Sequence, residues 1–141
     1  MYLLLESSSV NKKLNVFGWV LQIVLIAILL FDVVTKVIGA EKESYIFNLT
    51  GLGSMGRYLA VFFQIMAFAA LMVPRFYREG AVLSVVVMAV GMFFHITEIG
   101  VVVLGDGGRR FYSILIGLVC ALLLFFIRTH LLEIIVRKGK L

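Results

Sequence analysis

Polar residues are sparse along this chain, and the intervals between them define its elements. Runs with little or no charge occupy residues 14–38, 58–74, 81–104 and 111–132. About 20 residues rising 1.5 Å each cross a 30 Å hydrocarbon core, so each run is a candidate transmembrane helix. Between them lie a longer polar segment, 39–57, an RFYREG turn, 75–80, and a GDGGRR turn, 105–110, whose glycines and Asp106 are turn formers. Short connections force neighbouring spans to run antiparallel. The pattern therefore predicts an all-α membrane protein, a four-transmembrane-helix up-down-up-down bundle, with residues 1–141 as a single integral membrane domain. Before the first span, MYLLL reads as an interfacial lead and ESSSVNKK as a polar turn, with no pattern for signal-peptide cleavage. After the last, the tail 128–141 continues the helix amphipathically. Leu131, Leu132, Ile135 and Val136 share a face there, while Arg128, Arg137, Lys138 and Lys140 can meet anionic headgroups.

Composition sharpens this picture. The 141 residues are 62% hydrophobic and only 15% charged, with a mean hydropathy of +1.11, against roughly 25% charged in a soluble domain. A single cysteine, Cys120, leaves no intramolecular disulfide and argues against dithiol redox chemistry within the chain. The net charge of +5 does not point to nucleic acid, because the basic residues sit at the ends of apolar runs and form no stripe. They report topology instead. Lys12, Lys13, Arg75, Arg78, Arg128, Arg137, Lys138 and Lys140 fall on the side of the termini, and Lys36, Lys42, Arg57, Arg109 and Arg110 on the other. That bias predicts a multi-pass protein with N- and C-termini in the cytoplasm.

Packing positions are also readable. In the fourth span Ser113, Gly117 and Ala121 form a small-xxx-small ridge, and in the second Ala60, Gln64, Ala67 and Ala70 share a face. Adjacent phenylalanines at 62–63, 93–94 and 125–126 point about 100° apart, to lipid or to the core.

Candidate chemistry lies in the few ionisable residues within the spans. FDVVTK places Asp32 and Lys36 four residues apart on one helical face, where they can pair and offset a cost of about 2.5–3.5 kcal/mol for each charge alone. FFHITEIG puts His95 and Glu98 three residues apart on the third span. By helical rise Glu98 lies roughly 27 Å and His95 roughly 22 Å from Gly80, and Asp32 roughly 27 Å from Leu14. Arg57 stands at the matching end of the second span, with Gln64 roughly 10 Å below it. The sequence thus predicts a polar pocket near the outer leaflet, built from Asp32, Lys36, Arg57, Gln64, His95 and Glu98 and extended by Arg110 and Tyr112. The plainer reading is an internal salt-bridge network that only fixes helix register.

Three chemistries suit such a pocket. His95 beside a carboxylate can handle protons near neutral pH. A metal would take His95, Glu98 and Asp32, a thin set, and haem would lack a second histidine at that level, since His130 lies near the other end. A quinone or lipid would use a polar end in an apolar slot, which His, Gln and Arg under aromatic walls supply. GLGSMG, 51–56, matches a dinucleotide fingerprint but has no strand before it, and Asn48-Leu49-Thr50 is a glycosylation triplet of the kind that arises by chance.

The order of these features resembles the DoxX-like family of small four-helix membrane proteins. LLFDVVTKVIG supplies a Phe31…Lys36 ending to the first span, with Val37 where Leu is usual. RYLAVFFQ places Gln64 at or near a glutamate position of the second, and AVLSVVVMAVGMFFH leads to His95, where some members carry His. The resemblance covers roughly Leu14 to Ile127. It implies membrane subunits of quinone-linked or thiol-stress oxidoreductase systems, or assembly factors and chaperones for membrane proteins. With no cofactor fingerprint or autonomous catalytic motif, the chain is expected not to catalyse anything unaided. The expected function is an accessory or assembly subunit that docks on other membrane subunits, or forms a homo-oligomer, among membrane lipids. The alternative is a small oligomeric transporter or proton-coupled carrier using the same cluster, against which counts the lack of an inverted repeat.

Overall fold

The computed structural model describes the backbone of residues 2–139 and their side chains except at 2–7, 40 and 139; the MYLLL side chains and Lys140 lie outside it. Among the described residues five α-helices make up the fold: α1 Tyr2–Ile38, α2 Ala40–Leu49, α3 Gly53–Met72, α4 Tyr77–Phe94 and α5 Arg109–Gly139. A 3₁₀ turn, Pro74–Phe76, precedes α4, and a π-helical turn, His95–Ile99, ends it. Four helical segments among the described residues are long and apolar enough to cross a membrane: Ser8–Ile38, Gly53–Met72, Pro74–Ile99 and Arg109–Lys138. They alternate in direction as an all-α four-helix membrane bundle. Around the ring the order is α1, α3, α4, α5, with α1 also touching α5.

What closes the ring is a repeat of 3.5 residues. On α1 the inward positions are Gly18, Gln22, Leu25, Leu29, Asp32 and Lys36, spaced four and three in alternation. Arg110, Ile114, Gly117, Ala121, Leu124 and Arg128 repeat that spacing on α5. This is the seam of helices packed at a shallow angle. The two seams run antiparallel, so each has polar residues at both ends and an apolar middle. Leu25, Leu29, Ala67, Leu71, Met88, Ala121 and Leu124 fill that middle and are all but inaccessible. The small residues at 117 and 121 do serve close approach: a Cβ on Gly117 would stand 3.0 Å from Met88 Cε and 3.5 Å from Ile28 Cγ2.

Pro74 decides how α3 turns into α4. The residue before a proline is pushed out of the helical region, and Val73 is extended at φ −103° and ψ 119°, which stops α3 at Met72. The chain folds back so tightly that a Cβ on Gly80 would lie 2.8 Å from the Leu71 nitrogen. The carbonyl of Leu71, left without an intrahelical partner, accepts a 2.6 Å hydrogen bond from Gln22 Nε2. Gln22 Oε1 in turn accepts from Arg128 Nη2 at 3.0 Å, and Arg128 Nη1 donates to Asn15 at 2.9 Å. The same guanidinium stacks over Trp19 and Tyr77, 5.4 and 5.0 Å from the ring centroids. Arg128 therefore ties the bundle together at its terminal end.

Three boundaries differ from the sequence reading, each for a physical reason. ESSSVNKK is no turn, because Tyr2–Ile38 contains only Gly18 among breakers and α1 runs through it. RFYREG is mostly the 3₁₀ turn and the start of α4. The third span stops at Ile99, five residues before Leu104, because Gly100 takes φ 87° and ψ 175°, a conformation essentially restricted to glycine.

Candidate functional site

The loop end of the bundle is where charge meets the core. Asp32 and Lys36 occupy the same inward seam as Leu25 and Leu29, so their burial follows from helical register alone. Lys36, 6% exposed, donates Nζ to Asp32 Oδ2, and Gln64 Nε2 from α3 donates to the same oxygen. Arg110 brings Nη2 to 3.7 Å from Asp32 Oδ1. Its fork is otherwise spent on Glu43 of α2: Nη1 donates to Oε1, and Nη2 to Oε2 at 2.7 Å. Bidentate pairing of this kind is the strong form of a carboxylate contact. Two acids and two bases share the cluster, which is electroneutral as a whole.

Polar groups beside the cluster are left with capacity. Because a carboxylate only accepts, the contact with Asp32 fixes the Gln64 amide with its NH₂ toward Asp32. Its buried Oε1 then finds no donor among the described residues. His95, 2% exposed, lies 2.9 Å through Nδ1 from the Gly100 carbonyl. That carbonyl only accepts, so Nδ1 carries the hydrogen and Nε2 is the acceptor of the neutral ring. Gly100 also donates its N–H to the His95 backbone carbonyl at 2.8 Å, which closes the π turn. The edge of the ring meets Phe111, with centroids 6.0 Å apart.

Below these groups is a half-open chamber of about 350 Å³, whose wall residues Leu59, Phe63, Val86 and Val90 are also exposed on the outer face of the bundle. Asp32, Lys36, Gln64, His95 and Arg110 form its polar end, Leu59, Phe63, Val86, Val90 and Phe94 its apolar walls, and Ile46 and Phe47 of α2 its roof. A second hollow of about 410 Å³ lies on the α1–α5 side, lined by Val24, Ile28, Phe31, Glu43 and Ser113. Asp32, Arg110 and Met88 line both, so the ion cluster is the partition between the two.

Of the residues picked from sequence, Asp32, Lys36, Gln64 and His95 come together, and Arg110 stands at the centre of the cluster. Two of the six do not line the chamber. Arg57, on the first turn of α3, reaches Ser44 at 3.4 Å and lies over the Tyr58 ring. Glu98 is exposed, because the π turn has more residues per turn than an α-helix and carries it off the His95 face. Tyr112 is exposed as well, its ring edge-on to Phe111. The functional residue that sequence reasoning missed is Glu43, only 2% exposed. Glu43, Ile46, Phe47 and Thr50 recur at helical spacing in a segment read as a loop, and that period was the available signal. Among the described residues no group of three His, Cys, Asp or Glu side chains is placed to hold a metal ion.

Asp106 braces the loop beside the cluster. Its carboxylate accepts from the backbone N–H groups of Val103 and Gly108, both at 2.9 Å, and of Arg110 at 3.3 Å, which caps α5. Partial burial alone would raise its pKa, but these three donors outweigh it and hold the carboxyl below the usual range. A folded value depressed below the unfolded one, about 3.9, gives a contribution fully present above about pH 4 and lost as acid carries the group through its folded value. The melting-temperature gap between wild type and Asp106→Asn is therefore expected to close on acidification below about pH 4. A gap that stays constant between neutral pH and pH ~2.5 would show that the carboxylate charge contributes nothing there.

Comparison with protein-family models, with curated proteins and with solved structures finds no match to this chain.

Proposed function

We propose that this chain is a membrane-embedded binding subunit: the chamber holds the uncharged polar head of an amphipathic molecule, a quinone or a neutral lipid, and the chain serves as an accessory or assembly subunit of a larger membrane complex. The observation that carries this reading is an apolar slot whose polar end is already electroneutral. An ionic ligand would leave net charge in a low-dielectric interior at a cost of several kcal/mol, whereas a neutral head adds none. His95 Nε2 and the Gln64 amide supply hydrogen-bonding capacity at that end. The resemblance to DoxX-like proteins agrees with it, and the basic bias toward the terminal end supports a cytoplasmic placement of both termini.

Purification in mild detergent tests the proposal. The wild-type chain is expected to retain a neutral amphipath, detectable by mass spectrometry of its organic extract, and to co-elute with larger subunits. His95→Ala is expected to lower retention at least tenfold, corresponding to one lost hydrogen bond to the head with its burial penalty, about 1.5–3 kcal/mol. Glu98→Ala, which removes an exposed side chain, is expected to leave it unchanged. Equal retention by both variants, or an extract that matches the bulk membrane, would refute the binding role.

One observation favours a second reading. The partition of Asp32 and Arg110 between two hollows is the layout of a gate, as a proton-coupled carrier requires. Such a carrier is expected to purify as a homo-oligomer and to give pH-dependent flux in liposomes, neither of which the subunit reading requires.

A further inference from the structure

The terminal end of the bundle has the opposite electrostatic character. Trp19 and Tyr77 meet there edge to face, with Arg128 over both rings. From Trp19 to Lys36 is 17 residues of helix, roughly 26 Å, close to the thickness of a hydrocarbon core. Aromatic residues at such a level mark the membrane–water boundary. Beyond it α1 and α5 continue, while the α3–α4 connection does not, so the overhanging pair and the 3₁₀ turn border an open crevice of about 510 Å³.

Lys12 from α1, Arg75 from the 3₁₀ turn, Arg78 from the start of α4, and Arg128 and Lys138 from α5 line that crevice, with Glu79 its one acid. Arg78 lies 3.6 Å from Glu79. Among the described residues Lys12, Arg75 and Lys138 have no carboxylate partner. Arg128, held by Asn15 and Gln22, is a fixed charge at the base. At the loop end two acids balance two bases, whereas here five cations face one anion across three elements distant in sequence. Leu131 and Leu132 add an apolar wall on the membrane side of Lys138.

From this arrangement we infer that the crevice seats the phosphate of an anionic phospholipid headgroup, between Lys12, Arg75, Arg78 and Lys138, on the water side of the boundary that Trp19 and Tyr77 mark. The site is separate from the chamber at the other end. A phosphate there meets converging donors at the depth where lipid phosphates lie, which a soluble anion would have no reason to match.

Thermal unfolding of the full chain in mild detergent, with added phosphatidylglycerol or phosphatidylcholine, tests this. Phosphatidylglycerol is expected to raise the melting temperature in a saturable way and phosphatidylcholine not to. In the double variant Arg75→Gln/Lys138→Gln the apparent affinity is expected to fall on the order of 10–30-fold. Lys13→Gln/Arg137→Gln removes two exposed charges at the same end but outside the crevice, and is expected to keep wild-type affinity. Equal losses in the two double variants would mean diffuse surface charge and overturn the seat. No preference for phosphatidylglycerol over phosphatidylcholine would overturn it too. Stabilisation by glycerol 3-phosphate or inorganic phosphate as strong as by the lipid would assign the crevice to a free phosphate and overturn the lipid assignment.

Discussion

Asp32→Ala is expected to destabilise the protein more than removal of Asp32 and Lys36 together. The single change leaves Lys36 and Arg110 facing one remaining carboxylate, Glu43, in a place where water does not reach Lys36. Breaking a buried pair by deleting one partner costs about 3–5 kcal/mol, most of it the penalty of the charge left behind. Asp32→Ala/Lys36→Ala removes that charge and leaves the Arg110–Glu43 pair intact and neutral. Both variants deprive Gln64 Nε2 of its acceptor, so this loss cancels in the comparison. The double variant should therefore recover at least about 1 kcal/mol over Asp32→Ala, a coupling of the size seen between contacting residues. Unfolding free energies in detergent for wild type, both single variants and the double variant give the cycle directly. Additive losses would show that the two charges are solvated separately and that electroneutrality does not organise the site.

Much of this arrangement was legible in the chain because two periodicities coincide. The apolar runs fixed the four membrane segments, and four-residue spacing put Asp32 and Lys36 on one face. The seam through Leu25 and Leu29 then buries that face. Gln64 and His95 followed from depth, since helical rise along antiparallel spans brings residues of similar height together. What sequence reasoning lost has three sources. Glu43 was lost because a ten-residue helix between two spans resembles a loop when read for length, although its period is helical. Three-residue spacing puts Glu98 on the His95 face only at 3.6 residues per turn, and here Gly100 ends the helix in a wider π turn. Arg57 was placed in the pocket by height alone, and height does not say which way a side chain at the rim turns.

Glu43 also gives a result in which charge balance and docking separate. Isolated helices shorter than about 12 residues are marginal in water, so the ten residues of α2 stay helical through their contacts. Those contacts are packing against α3 through Phe47 and the buried Ile46, the Ser44–Arg57 contact, and the charged pair of Glu43 with Arg110. Glu43→Ala is expected to cost about 3–5 kcal/mol, because it leaves Arg110 and Lys36 sharing the one carboxylate of Asp32 as well as freeing α2. In Glu43→Ala/Arg110→Met the surplus cation is gone and Asp32 keeps Lys36, so most of the global stability should return. The roof should not. Amide hydrogen exchange across Ala40–Leu49 is expected to be fast in both variants, by roughly the 10–100-fold that losing 1.5–3 kcal/mol of local protection allows. Retention of an amphipath in the chamber should fall in both, because Ile46 and Phe47 line it only while α2 is docked. If the double variant recovered slow exchange in α2 along with its stability, apolar contacts would be holding the roof and the Glu43–Arg110 pair would serve charge balance alone.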